Sequence, residues 1–182
     1  MKKAVEAINE QFETLARSKN FSKVIYKAFY FACDAHKDQK RKLANEPYII
    51  HPFRVMQKLL EMNPSDEVLV AALLHDVVED TGKSIDEIES QFGSRVAKRI
   101  LGLTKTEREP LIKTLEEGAR EFPDIILIRI ADRLDNLADG EKLPIRVREK
   151  YSAQYQPLID LVEKFKISSP LLEEFKRLQS NI

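Results

Sequence analysis

The segment from Val70 to Asp80 reads VAALLHDVVED, and seven of its eleven residues are aliphatic or alanine. A run this apolar reads as a buried helix. Yet it carries His75 and Asp76 at its centre and Glu79 and Asp80 at its end. An ionised carboxylate among apolar neighbours is costly unless a partner or a metal compensates it. Glu79 follows His75 by four residues and Asp80 follows Asp76 by four, so a continuous helix stacks all four on one side. Treating them as helix-end residues does not account for them, because two acids near a C-terminus oppose the macrodipole.

Two further segments repeat the anomaly. In YIIHPF, His51 follows an apolar triplet and precedes Pro52. The residue before proline is biased away from α geometry, and proline suits the first helical position, so His51 is expected at the cap of a helix that Pro52 opens. In IILIRIADRLDNL, Asp132 lies in a third apolar helix, with Asn136 one turn later on the same face. Alone, His51 reads as a satisfied core histidine and Asp132 as a salt-bridged core acid. Together with His75 and Asp76 they make a set of nitrogen and oxygen donors without thiolate, which suits a divalent ion such as Mn2+, Fe2+ or Zn2+. Four donors leave positions for water and substrate on an ion that prefers six.

The rest of the chain sets the frame. Its 182 residues suggest one domain with room for a core, and 43% hydrophobic with 33% charged residues is a globular composition. Thirty basic and thirty acidic residues cancel, so no global field favours nucleic acid or an anionic membrane. A single cysteine excludes a disulfide framework and a cysteine-based zinc site. The N-terminal MKKAVEAINEQFETLARSKN lacks the apolar stretch of a signal peptide, and no run reaches the roughly 20 apolar residues of a membrane span. A cytoplasmic location is expected.

Helical periodicity recurs along the chain. Val5, Ile8, Phe12 and Leu15 mark one face; Phe21, Val24, Ile25, Ala28 and Ala32 mark the next. Val55, Met56, Leu59 and Leu60 follow Pro52. Ser84 and Glu87 form a capping box, and Val96, Ile100 and Leu103 continue beyond it. Leu111, Ile112 and Leu115 are a weaker segment. Tyr151, Tyr155, Leu158, Ile159, Val162 and Phe165 read as one long apolar stripe, and SSP caps a last helix through Leu178. With five glycines and no alternating strands, the expectation is an all-α fold over residues 1–182, with a metal core at about 36–140 and C-terminal helices at 144–180.

The order His…His-Asp…Asp on helices resembles the HD phosphohydrolase superfamily. RKLANEPYIIHPFRV, AALLHDVVEDTGKSIDEIESQFGSRVAKRILGLTK and IRIADRLDNL are similar to the hydrolase domain of the RelA/SpoT alarmone enzymes. The resemblance runs from about His36 to Leu137 and continues weakly to Tyr151. The stand-alone small alarmone hydrolases are similar in length, and no stretch after Asn136 has the length or strands expected of the long enzymes' synthetase domain. The resemblance implies an HD-domain helical bundle that removes the 3′-diphosphate of guanosine tetra- or pentaphosphate and releases pyrophosphate. It implies manganese ligands at His51, His75, Asp76 and Asp132 and a catalytic acidic pair at Glu79 and Asp80. It also implies a phosphate-flanking basic pair at Arg41 and Lys42, and a nucleotide-facing Asn136.

That chemistry stands beside the residues themselves. HKDQKRK supplies Lys37, Lys40, Arg41 and Lys42 shortly before His51, with Arg133 and Lys105 as further cations for a diphosphate. Glu79 and Asp80 fall one turn beyond two ligands, within reach of water or a proton. His36 reads as a helix-end histidine, Cys33 as a small core residue, and the C-terminal tyrosines as core rather than stacking groups. The chain departs from the family at Asp135, where His or an aromatic is usual, and at Ala138 and Asp139, where basic or hydroxyl residues are usual. Two alternatives therefore stay open: an HD phosphohydrolase for another nucleotide or phosphorylated metabolite, and a non-catalytic nucleotide-binding module. The expected partner is a small-molecule nucleotide, with neither nucleic acid nor membrane. The sequence does not specify an oligomeric state, and a homo-oligomer is compatible with it.

Overall fold

A computed structural model describes residues 2–41, 45–105, 110–138 and 144–179. The expectations for Lys42 and Asp139 lie outside the described residues. The helices are α1 (Lys2–Lys19), α2 (Lys23–Ala35), α3 (Ile50–Leu59), α4 (Asp66–Leu74), α5 (Val77–Asp80) and α6 (Ile85–Phe92), with a short 3-10 turn at Leu60–Met62. They continue as α7 (Ser94–Leu103), α8 (Leu111–Ala119), α9 (Asp124–Leu137), α10 (Ile145–Ser152), α11 (Tyr155–Lys164) and α12 (Pro170–Gln179). Among the described residues there is no strand, only an isolated antiparallel bridge between Lys40 and Pro47.

α4 sits at the centre because it has no polar face after its first turn: Val68 through Leu74 are all buried. It packs against α2, α3, α7 and α9, and α3 packs on α9. α10, α11 and α12 also pack on α9. α1 is held by aromatic packing. Phe12 stacks on Phe29 of α2 with centroids 3.7 Å apart and meets Phe53 of α3 at 5.9 Å. Arg99 of α7 is buried and grips Asp124, at the start of α9, with two bonds of 2.9 Å, while its guanidinium lies 4.1 Å from the Phe122 ring. Ser84 caps α6 by accepting from the Glu87 N–H at 3.1 Å. The Glu87 carboxylate turns to Lys83.

Three helix boundaries differ from the periodicity. The expected helix over 70–80 is broken at His75–Asp76, between α4 and α5. His75 Nδ1 donates to the Ala72 carbonyl at 2.8 Å, the acceptor that the Asp76 N–H would use in a continuous helix. Asp76 then sits at φ −98°, ψ −7°, and the ladder resumes with the Asp80 N–H on the Asp76 carbonyl. Pro52 is the third residue of α3, not the first, and His51 lies inside the first turn rather than at the cap. The opening N–H groups of a helix have no intrahelical partner, so proline sacrifices nothing at this position either. The stripe from Tyr151 to Phe165 divides into α10 and α11. Pro157 lacks the N–H that would bond Ala153, and its ring clashes with that carbonyl, so the ladder ends at Ala153–Gln154.

α7 and α8 cross at a pair of glycines. A Cβ on Gly118 would lie 2.9 Å from the Gly102 Cα and 2.8 Å from the Ile125 Cδ1. Gly→Ala inside a helix ordinarily stabilises by roughly 0.5–1 kcal/mol, whereas overpacking costs about 1–3 kcal/mol. Gly118→Ala is therefore expected to lower the urea midpoint, opposite to helix propensity. Gly82→Ala, with nothing within 4 Å of the new methyl, is expected to leave it nearly unchanged.

Candidate active site

α3, the α4–α5 break and α9 bring the three anomalous segments together. The donor atoms of His51, His75 and Asp76 all lie within 4.8 Å of one another. His51 Nε2 is 3.4 Å from Asp76 Oδ2 and 3.3 Å from Asp132 Oδ1. His75 Nε2 is 3.2 Å from Asp76 Oδ2 and 3.9 Å from Asp132 Oδ1. Ligands at about 2.0–2.2 Å from a shared ion are separated by roughly these distances.

The far side of each imidazole fixes what faces inward. His75 Nδ1 donates to the Ala72 carbonyl and His51 Nδ1 lies 2.7 Å from Asp135 Oδ2. A carbonyl and a carboxylate accept only, so each Nδ1 carries the proton, and in a neutral ring Nε2 keeps its lone pair. His75 Nε2 is buried without a hydrogen-bond partner, although a carboxylate oxygen stands 3.2 Å away. Two acceptors face each other there, an arrangement that calls for a cation between them. The donor set therefore fits a divalent ion.

The titration of the group follows from the same crowding. Burial pulls the His51 pKa down, but bonds to Asp132, Asp135 and Asp76 outweigh it and raise it well above the usual imidazole range. Burial pushes the Asp76 and Asp132 carboxyls up. The His75 and His51 rings outweigh that at Asp76, and Arg133, His51 and Arg129 outweigh it at Asp132, so both stay well below the usual carboxylate range. Arg129 Nη1 donates to Asp132 Oδ2 at 2.8 Å and its Nη2 donates to the Leu103 carbonyl. Asn136 Nδ2 donates to Asp132 Oδ1, the oxygen that faces both histidines.

The cluster opens into a cavity of about 890 Å³. That volume is in the range of small-molecule sites, roughly 300–1,000 Å³. Glu79 and Asp80 both line it and are exposed. Glu79 Oε2 accepts from the Lys105 backbone N–H at 2.9 Å. Asp80 Oδ2 lies 3.1 Å from the Tyr48 hydroxyl, which also donates to Asp76 Oδ2 at 2.6 Å. Burial and these carboxylates push the Tyr48 phenol up, so it stays a donor. Among the described residues, Lys40, Arg41, Lys105, Arg129, Arg133 and Lys150 supply six cations to the same walls, against the four acids Asp76, Glu79, Asp80 and Asp132.

Several placements go beyond the sequence reading. Arg41 lines the cavity, and its Nη1 donates to Asp135 Oδ2 at 2.8 Å. Tyr151 and Tyr155 both pack half-buried against the core; Tyr151 also lines the cavity, with the Arg133 guanidinium 4.6 Å from its ring, and Tyr155 packs on Phe175. The sequence does not single out Tyr48, Arg129 or Lys150, and it marks Asp135 only as a departure from the family. Tyr48 and Asp135 each stand three residues from a ligand, a helical-neighbour spacing that signals them in retrospect. His36 does end α2, is buried, and bonds Gln39 through Nδ1 at 2.8 Å. Cys33 is half-buried. No helix among the described residues is long and apolar enough to cross a membrane.

A family profile for the HD domain matches residues 28–158. A guanosine-3′,5′-bis(diphosphate) 3′-pyrophosphohydrolase of Aquifex aeolicus (strain VF5) is 43% identical over 120 residues, 62% of this chain and 17% of that protein. The bifunctional (p)ppGpp synthase/hydrolase SpoT of Escherichia coli (strain K12) is 34% identical over 142 residues, 72% of this chain and 20% of that protein. The matched part is thus a fifth or less of the length of these curated relatives. Among solved structures, a metazoan ortholog of SpoT that hydrolyzes ppGpp superposes with TM-score 0.69 at 27% identity, over 89% of this chain and 98% of that one. A protein of Listeria monocytogenes EGD-e superposes with TM-score 0.61 at 26% identity, over 74% of this chain and 96% of that one.

An ion that binds only the folded chain stabilises it by about 2.7 kcal/mol at 100 times its dissociation constant. Added Mn2+ is expected to raise the thermal midpoint of the protein, and a chelator to reverse the rise. In His75→Ala the metal-dependent part of the shift is expected to vanish, as read by differential scanning calorimetry with and without the ion.

Proposed function

The chain belongs to the HD-domain family, and on that footing we propose that it is a metal-dependent phosphohydrolase that removes the 3′-diphosphate of guanosine tetra- or pentaphosphate and releases pyrophosphate. One observation carries the reading. His51, Asp76 and Asp132 line the floor of a cavity, with the His75 Nε2 beside Asp76, and among the described residues the walls hold both an acid pair and an excess of cations. A site for a diphosphate ester needs all three. The relatives' activity is proposed for this chain because the HD-domain match spans the residues that build that floor.

His51, His75, Asp76 and Asp132 would hold the ion, with Mn2+ favoured and Fe2+ or Zn2+ as alternatives. When bound, a divalent ion lowers the pKa of water and offsets phosphate charge. The chain's own residues do the rest. Arg41, Lys105, Arg133 and Lys150 face the cavity, where their charge would hold the phosphate oxygens; an arginine can grip two at once. Glu79 and Asp80 would orient the attacking water and accept its proton. The phosphorus–O3′ bond breaks, the water oxygen stays on the departing pyrophosphate, and the ribose O3′ takes up a proton. Tyr48 holds Asp80 against Asp76, which keeps the proton acceptor beside the donor cluster. Tyr151 and Val147 give the cavity an apolar wall suited to a base.

A second reading, hydrolysis of another nucleotide, has one observation in its favour. Asp135 engages Nη1 of Arg41, one of the guanidinium nitrogens that a phosphate would use.

The test is a release assay with Mn2+ and a nucleotide panel that resolves pyrophosphate from orthophosphate. Pyrophosphate from guanosine tetraphosphate is the expected product. Orthophosphate from a nucleoside monophosphate, with guanosine tetraphosphate untouched, would transfer the proposal to the second reading. No turnover of any phosphate ester by the metal-loaded protein would leave a binding module.

A general acid–base contribution is typically worth 10²–10⁴-fold. Glu79→Gln and Asp80→Asn are each expected to retain metal and thermal stability while turnover falls by about that factor. Full turnover in both, with metal content measured, would remove the acid pair from the reaction.

A further inference from the structure

We infer that Asp135 is a positioning residue that joins the metal site and the phosphate grip into one unit, orienting His51 with the same oxygen that holds Arg41. This rests on the metal-site reading above but not on the choice of nucleotide. Asp135 Oδ2 lies 2.7 Å from His51 Nδ1 and 2.8 Å from Arg41 Nη1, and its side chain is 4% exposed. Asp132 and Asp135 are three residues apart on α9 and so are neighbours on its surface. The His51 ring is clasped between them, with Asp132 Oδ1 3.3 Å from Nε2 and Asp135 Oδ2 2.7 Å from Nδ1.

A carboxylate on Nδ1 selects the tautomer that leaves Nε2 as an electron-pair donor and makes that nitrogen a stronger ligand; loss of such a partner typically costs 10–100-fold in metal affinity. His75 has only the neutral Ala72 carbonyl in that place. A buried carboxylate with one neutral donor is poorly compensated, and the Arg41 cation supplies the missing charge. Arg41 precedes α3 and Asp135 belongs to α9, so this oxygen also ties the residue next to the Lys40 and Pro47 bridge to the helix that carries Asp132.

The experiment uses the full chain and two binding probes. Mn2+ affinity is measured by calorimetric titration, and inorganic pyrophosphate affinity is measured on the manganese-loaded protein. Asp135→Asn keeps the shape and an oxygen acceptor but loses the charge; Asp135→Leu loses both. The expected result is a Mn2+ affinity about 10-fold weaker in Asp135→Asn and up to about 100-fold weaker in Asp135→Leu. Pyrophosphate affinity is expected to fall in Asp135→Asn and in Arg41→Ala, and to fall in the double variant by less than the two effects combined. A merely structural role would lower the denaturation midpoint without this sub-additivity. If Asp135→Leu does not fold, the isosteric Asp135→Asn carries the test. Wild-type Mn2+ affinity in Asp135→Asn, or additive pyrophosphate losses, would overturn the inference alone. A wild-type protein that takes up no divalent ion would overturn the metal-site reading along with it.

Discussion

Two imidazole nitrogens and two carboxylate oxygens face one another over 3.2–3.9 Å where α3, the α4–α5 break and α9 meet. With Nδ1 protonated on both rings, the neutral form of the cluster presents only electron pairs to its centre. Such a cluster inside a protein is tolerable only when a cation occupies it or a proton is shared across it. The carboxylates that raise the His51 pKa favour the second solution. A divalent ion is the first. The surrounding structure keeps either solution available by supplying positive charge from behind, through Arg129 and Arg133 beside Asp132.

The helical scaffold follows from that requirement. α4 is apolar on every side, so it can pass through the middle of the core and deliver His75 and Asp76 at its end. The break after Leu74 is not a defect of the helix. The His75 ring takes the Ala72 carbonyl, and the same bond that interrupts the ladder aims Nε2 at the cluster. α5 then extends by a single turn and leaves Glu79 and Asp80 exposed in the cavity, where they escape the burial that acts on Asp76. The donors His75 and Asp76 and the exposed acids Glu79 and Asp80 thus come from one short segment, yet in different environments.

Much of this was legible in the residues. The all-α fold, the capping of α6 by Ser84 and the core faces of α1, α2 and α7 follow from apolar spacing and cap chemistry. The convergence of His51, His75, Asp76 and Asp132 followed from a simple physical oddity, titratable groups embedded in apolar runs that no local partner explains. Helix boundaries were less legible where a proline or a side chain competes for the ladder. Pro157 divides a stripe that is continuous in its apolar spacing, and the His75–Ala72 bond divides another. Neither event changes which face is apolar, so periodicity passes over both.

The sequence by itself determined the helices, the membership of the core and the chemical types of the central donors, because burial and periodicity act along a single element. Only the tertiary structure decided how the polar groups share one another. Asp135 serves both His51 and Arg41, Tyr48 bridges Asp76 and Asp80, and Asn136 turns onto Asp132. Tyr151 serves the cavity wall as well as the edge of the core. These pairings join residues as many as 94 positions apart, and hydrogen bonds depend on distance and direction between elements rather than on order along the chain.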